Sequence, residues 1–165
     1  MVARSGCASP NRTAQLVIRG SDVVAEARNW VGTPWRHQGR LIGVGTDCLG
    51  LVGGIAVRLG LVPSDRWTTD PVFAGYGRVP VPEQLLGGCA NYLDVVRKQE
   101  TNLGDVLVMS FSKEKHPQHF AIVSRLEPMM YIIHAYAQRR MVVESQAALP
   151  KSSILRTYRF RGVTV

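Results

Sequence analysis

Asp105-Val106-Leu107-Val108-Met109, followed by His119-Phe120-Ala121-Ile122-Val123-Ser124 and by Met130-Tyr131-Ile132-Ile133-His134-Ala135-Tyr136, is the stretch that decides the fold. Runs of five to seven residues rich in Val, Ile, Tyr and Phe, parted by short polar or Gly/Pro turns, read as strands of an antiparallel sheet. Residues 141–144 and 155–160 continue the pattern. Upstream the period is helical. Ser21 is placed to cap a helix carrying Val23, Val24, Ala27, Trp30 and Val31 on one face, which Gly32 and Pro34 stop. After a Gly-rich loop, residues 46–60 present Cys48, Leu51, Val52, Ile55, Ala56 and Leu59 on one face, with Thr46 or Asp47 as cap and Gly60 as stop. Helices first and an antiparallel sheet afterwards make an α+β domain, with the second helix packed on one face of the sheet.

Around this frame, residues 1–20 read as an N-terminal arm and 21–165 as a single domain. Residues 62–100 hold Pro, Gly and the scattered aromatics Trp67, Phe73, Tyr76 and Tyr92. They are expected to form an irregular insertion that walls a cleft, with helix around residues 81–96. The chain of 165 residues is long enough for a sizeable core, and 45% hydrophobic with 19% charged residues excludes a disordered tail or a fibrous repeat. Lys plus Arg outnumber Asp plus Glu by 20 to 12, a formal charge of +8, so an anionic partner is expected. The basic residues are spread along the chain, which argues against specific nucleic-acid binding. The series Arg156, Arg159 and Arg161, with Arg139 and Arg140, reads as a solvated strand face, with a face turned toward a polyanion as the alternative. No run is long and apolar enough for a secretory signal or a membrane anchor. Cys7, Cys48 and Cys89 offer neither a disulfide framework nor a Cys-x-x-Cys pair.

Chemistry concentrates at three residues. Cys48 falls in the first turn of the second helix, where unsatisfied N–H groups and the helix dipole favour a thiolate, the form in which a nucleophilic cysteine works. A buried inert cysteine is the other reading of that position. His119 opens one strand and His134 lies in the next, so their imidazoles can sit side by side, one as base for Cys48 and the other orienting it. A zinc site built from His116, His119 and His134 with Asp105 or Cys89 competes, weakened by Pro117, which makes His116 a turn residue. Trp35, Arg36, His37 and Gln38 form a loop of large side chains able to line a pocket beside Asp47.

Taken together, Trp30-Val31-Gly32-Thr33-Pro34-Trp35, Thr46-Asp47-Cys48-Leu49-Gly50-Leu51-Val52, Gly104-Asp105-Val106-Leu107, His119-Phe120-Ala121-Ile122-Val123 and Ile133-His134-Ala135, in that order, resemble the NlpC/p60 family of cell-wall cysteine peptidases. The resemblance spans residues 22–145 and implies a papain-like fold with Cys48 as nucleophile, His119 as general base and His134 as the orienting third residue. It also implies substrate contacts from Trp35, His37, Gln38 and Asp47, no cofactor and no metal. Its implied reaction is hydrolysis of peptidoglycan stem peptides at a bond between D-glutamate and a diamino acid. Two positions depart from the family pattern: Leu49 replaces the usual Ser after the cysteine, and Trp35 replaces a Tyr. Trp donates through its indole N–H but cannot accept. The Thr33-to-Gln38 loop and the Asp47-to-Leu51 run look more like the branch carried by tailed phages and gene transfer agents. For that branch the expectation is assembly in the cytoplasm into a phage-like particle beside tail hub or tip proteins, and action on the wall of the next cell. Alternatives are a structural tail-hub subunit with weak or no activity, and a papain-like amidase or acyltransferase.

Overall fold

The computed structural model describes residues 17–71, 75–78, 81–149 and 152–165. Most of the expected arm, with Cys7, lies outside them. Ile18–Arg19 (β1) runs straight into helix α1, Gly20–Asn29. The helix starts one residue before Ser21. Asp22 makes the cap, its carboxylate accepting from the Arg19 N–H at 2.7 Å. A small hairpin, Arg40–Leu41 (β2) with Gly45–Thr46 (β3), leads to α2, Cys48–Arg58. Asp47 caps α2, its carboxylate accepting from the Gly50 N–H at 2.9 Å.

The region expected to be irregular contains two helices, α3 (Ser64–Thr69) and α4 (Pro82–Tyr92). The helix expected over 81–96 ends early, because Leu93–Val96 (β4) turn extended and pair with the last long strand. The remaining strands are β5 (Val106–Ser110), β6 (His119–Arg125), β7 (Tyr131–Tyr136), β8 (Met141–Gln146), β9 (Ser153–Phe160) and the short β10 (Val163–Thr164). They form one antiparallel sheet in the order β4-β9-β5-β6-β7-β8, apart from β10, which pairs in parallel with β1.

The sheet is covered on both faces, and alternation assigns each residue its side. Val106, Val108, Ile122 and Ile133 meet Leu51, Ile55 and Trp30 from the helices. Leu107, Met109, Val123 and Ile132 close a second cluster on the opposite face with Leu126, Met130 and Leu149. This double burial explains why β5 and β6 read as near-continuous apolar runs. Helix α2 lies over β6 and β7, which sets its first residue against the start of β6. Its entry is tight. A side chain on Gly50 would meet the Gly39 carbonyl oxygen at 1.9 Å, so the loop backbone rests directly on the helix.

One ion pair anchors the sheet. Asp105, fully buried at the start of β5, accepts from Arg159 Nε at 2.7 Å and Nη2 at 2.9 Å, and from the Asn102 N–H at 2.7 Å. Arg159 therefore belongs to this pair rather than to a free solvated face. Arg159→Leu is expected to cost about 3 kcal/mol, since it strands a buried carboxylate; equal urea midpoints for the variant and the parent would contradict this.

Candidate active site

Cys48, the first residue of α2, is partly buried and lies in the wall of a cavity of about 380 Å³. His119 and Phe120, at the start of β6, line the same cavity, as do Trp35, His37 and Asp47. The expected nucleophile and base thus reach one space.

His119 and His134 sit one diagonal step apart in the register that pairs Ile122 with Ile133. His119 Nε2 lies 2.9 Å from His134 Nδ1, and His134 Nε2 lies 3.2 Å from Ser145 Oγ on β8. This chain assigns the tautomers that a base role needs. If His119 is to take a proton on Nδ1, its Nε2–H donates to His134 Nδ1, and the His134 Nε2–H donates to Ser145. Rings fix the pair from the sides: Phe111 sits 5.6 Å from His119, and Tyr136 stacks on His134 at 4.9 Å. Tyr136 lies two residues along β7 from His134, on the face that strand alternation predicts, whereas Ser145 on β8 and Phe111 after β5 were not singled out from the sequence, because only the assembled sheet brings them there.

Electrostatics departs from the local expectation for Cys48. The N–H groups of Phe120, Leu49 and Cys48 itself do favour the thiolate. Burial outweighs them, and with the nearby Asp47 carboxylate it pushes the thiol up to about 12. Burial likewise lowers His119 to about 3, helped by the neighbouring His134, and lowers His134 to about 4. At neutral pH the free site therefore holds a neutral thiol and neutral imidazoles. Iodoacetamide is accordingly expected to alkylate Cys48 slowly at pH 7, with a rate that climbs through pH 10. A rate that levels off below pH 8 would instead reveal a preformed thiolate–imidazolium pair.

Asp47 is a hub. Besides the Gly50 N–H its carboxylate accepts from the Gln38 N–H at 2.6 Å, and the Tyr76 hydroxyl lies 2.9 and 2.8 Å from its two oxygens. His37 Nδ1 stands 3.7 Å away and meets the Tyr76 ring edge-on. With so many donors from the protein, Asp47 acts first to organise the α2 entry. Gln38 does not line the cavity; its side chain donates to the Tyr76 carbonyl at 2.7 Å. Tyr76 itself is a wall residue, and burial together with Asp47 raises its hydroxyl so that it stays protonated. Trp35 is held by its N–H to the Arg140 carbonyl at 2.8 Å, and Leu49 turns into the cavity wall where the family pattern has Ser.

The residues of the zinc alternative do not gather. His116 is exposed in the β5–β6 loop, Asp105 is committed to Arg159, and Cys89 is on α4. Among the described residues no three His, Cys, Asp or Glu side chains are grouped to hold a metal ion. No described helix is long and apolar enough to cross a membrane.

A helix-start cysteine packed against an antiparallel sheet that carries paired histidines defines a papain-like α+β fold, and it is the fold of NlpC/p60 domains. Solved structures that share it include the NlpC/p60 domain of the peptidoglycan hydrolase SagA, with a TM-score of 0.52 and 21% identity over 86% of this chain and 98% of that one. An N-acetylmuramoyl-L-alanine amidase from Bacteroides uniformis gives a TM-score of 0.58 at 12% identity, covering 86% and 98%. NlpC1 from Trichomonas vaginalis gives 0.62 at 13% identity over 90% of this chain, which spans 46% of that longer protein. No protein-family model matches the sequence, and no curated protein matches it.

Proposed function

We propose that this chain is a cysteine peptidase that hydrolyses peptidoglycan stem peptides. The observation that carries the reading is that Cys48 and His119 line one cavity, with His134 buried behind His119 at 2.9 Å, in a fold shared with the NlpC/p60 domain of the peptidoglycan hydrolase SagA and with an N-acetylmuramoyl-L-alanine amidase. The Cys48 thiol gives its proton to His119 as sulfur adds to the amide carbon. The oxyanion is met by N–H groups of the helix start, including that of Cys48. His119 then returns the proton to the leaving amine as the C–N bond breaks, and water attacks the thioester, releasing the carboxylic acid and the thiol.

The bond proposed is that between D-glutamate and a diamino acid. The setting proposed is a phage-like tail tip, beside hub or tip proteins, which is assembled in the cytoplasm and opens the wall of the next cell for DNA delivery. The loop from Thr33 to Gln38 and the Asp47-to-Leu51 run support that branch by resemblance. Mass spectrometry of soluble fragments from purified peptidoglycan tests the reading. New D-glutamyl carboxylate and diamino-acid amine termini are expected. Termini at muramoyl-alanine would point to an amidase, and no release from several wall chemistries would favour a structural hub subunit.

A further inference from the structure

The cavity at Cys48 extends well past the reacting groups. Cys48, Val52 and Ala56 are spaced four residues apart on α2 and all line it, so it follows one side of the helix for about 12 Å beyond the sulfur. The facing walls are Val62, Trp67 and Leu85 from the insertion and Phe160 from β9. Apart from Leu85, which is half-buried, these side chains are buried. Charged lining side chains, Asp47 and Arg78, belong to the end near Tyr76. Two polar groups along the arm are turned to other partners: the Tyr92 hydroxyl donates to Asp70 at 2.6 Å, and Arg40 holds Trp67 through its carbonyl at 2.8 Å while stacking on its ring at 4.8 Å; half-buried Gln84 of α4 also lines the cavity. Cys89, in the same wall, is a buried thiol. The volume is within the range of small-molecule sites, ~300 to 1,000 Å³.

We infer that this arm is a binding site for a linear apolar chain on the acyl side of the substrate, so that the Cys48 site accepts medium-chain acyl donors as well as peptides. The cavity runs from Cys48 along α2, and a linear acyl chain such as octanoyl, attached at the carbonyl that Cys48 attacks, has the length and apolar character to follow it. With an octanoyl ester, sulfur adds to the ester carbonyl while its proton passes to His119; the C–O bond breaks as His119 returns that proton to the leaving alcohol, and water then cleaves the thioester to octanoate, a proton and the free thiol.

The test uses p-nitrophenyl acetate and p-nitrophenyl octanoate with the full chain, its Leu85→Trp variant and Cys48→Ala as the blank. The parent is expected to show a kcat/KM for octanoate at least about tenfold above acetate, since each buried methylene adds apolar transfer energy. In Leu85→Trp the ratio is expected to fall toward one. A ratio near one in the parent, or one that a folded Leu85→Trp leaves intact, overturns the inference. Should Leu85→Trp fail to fold, the melting temperature of Cys48→Ala with sodium octanoate against sodium acetate decides: a rise with octanoate alone supports the arm, and no rise overturns it. Wall digestion is scored separately, so the loss of the peptidase reading and the loss of the acyl arm remain distinguishable.

Discussion

Cys48→Ala is expected to reduce release of wall fragments by about a thousandfold or more, because removing the nucleophile of such a site leaves only binding and oxyanion stabilisation. Its melting temperature should stay close to that of the parent. The change removes a single atom from a residue in the cavity wall, the cap that orders the helix start belongs to Asp47, and that cap survives the change. Ala is also a better helix former than Cys. Fragment release by Cys48→Ala at the parent's rate, measured at matched concentration of folded protein, would remove Cys48 from the reaction. Because the resting thiol and imidazole are both neutral, proton transfer accompanies attack in this reading. His119→Ala should therefore depress kcat far more than it changes KM.

Acid is expected to unfold the protein earlier than its surface charges alone would dictate. His119 and His134 have folded-state values of about 3 and about 4 against 6.5 for the free side chain. Between those values the unfolded chain binds more protons than the folded one, so stability is complete above about pH 7 and falls as pH drops from 6.5 toward 3. Both imidazoles are buried. The stability lost through them on acidification is a sizeable part of the ~5 to 15 kcal/mol that holds a domain together. Urea midpoints followed by circular dichroism at pH 7.5, 5.5 and 4.5 should decline steeply, and His134→Gln should shrink the decline. Midpoints that do not move over that interval would show that the imidazoles are not held neutral.

Much of the sheet was legible because its strands are local patterns. Residues 106–110, 119–125 and 131–136 are apolar on both sides, and the structure buries both sides. The places of Cys48, His119 and His134 were legible for a related reason: the first turn of a helix, the start of one strand and the second half of the next are positions that a sequence marks. Helix α3 and strand β4 were not, since six residues of α3 carry no clear period and β4 exists only because β9 lies beside it. Tyr76 escaped because its partner Asp47 is 29 residues away in the chain, and Ser145 because it acts through His134 from the next strand. The thiol was misjudged for the same physical reason. A helix start favours the anion locally, whereas the burial that outweighs it arises only when the helix packs into the fold.

The contact of the Gly39 carbonyl with Gly50 sets what a variant of this chain can carry there. Leu49 and Trp35 line the cavity, whereas residue 50 has no space even for a methyl group. Two residues beyond the cysteine the neighbour is loop backbone rather than a flexible side chain, so a methyl group there would push the loop off the helix start. A library randomised across 48–52 and selected for folding alone should tolerate many residues at 49 and recover glycine at 50.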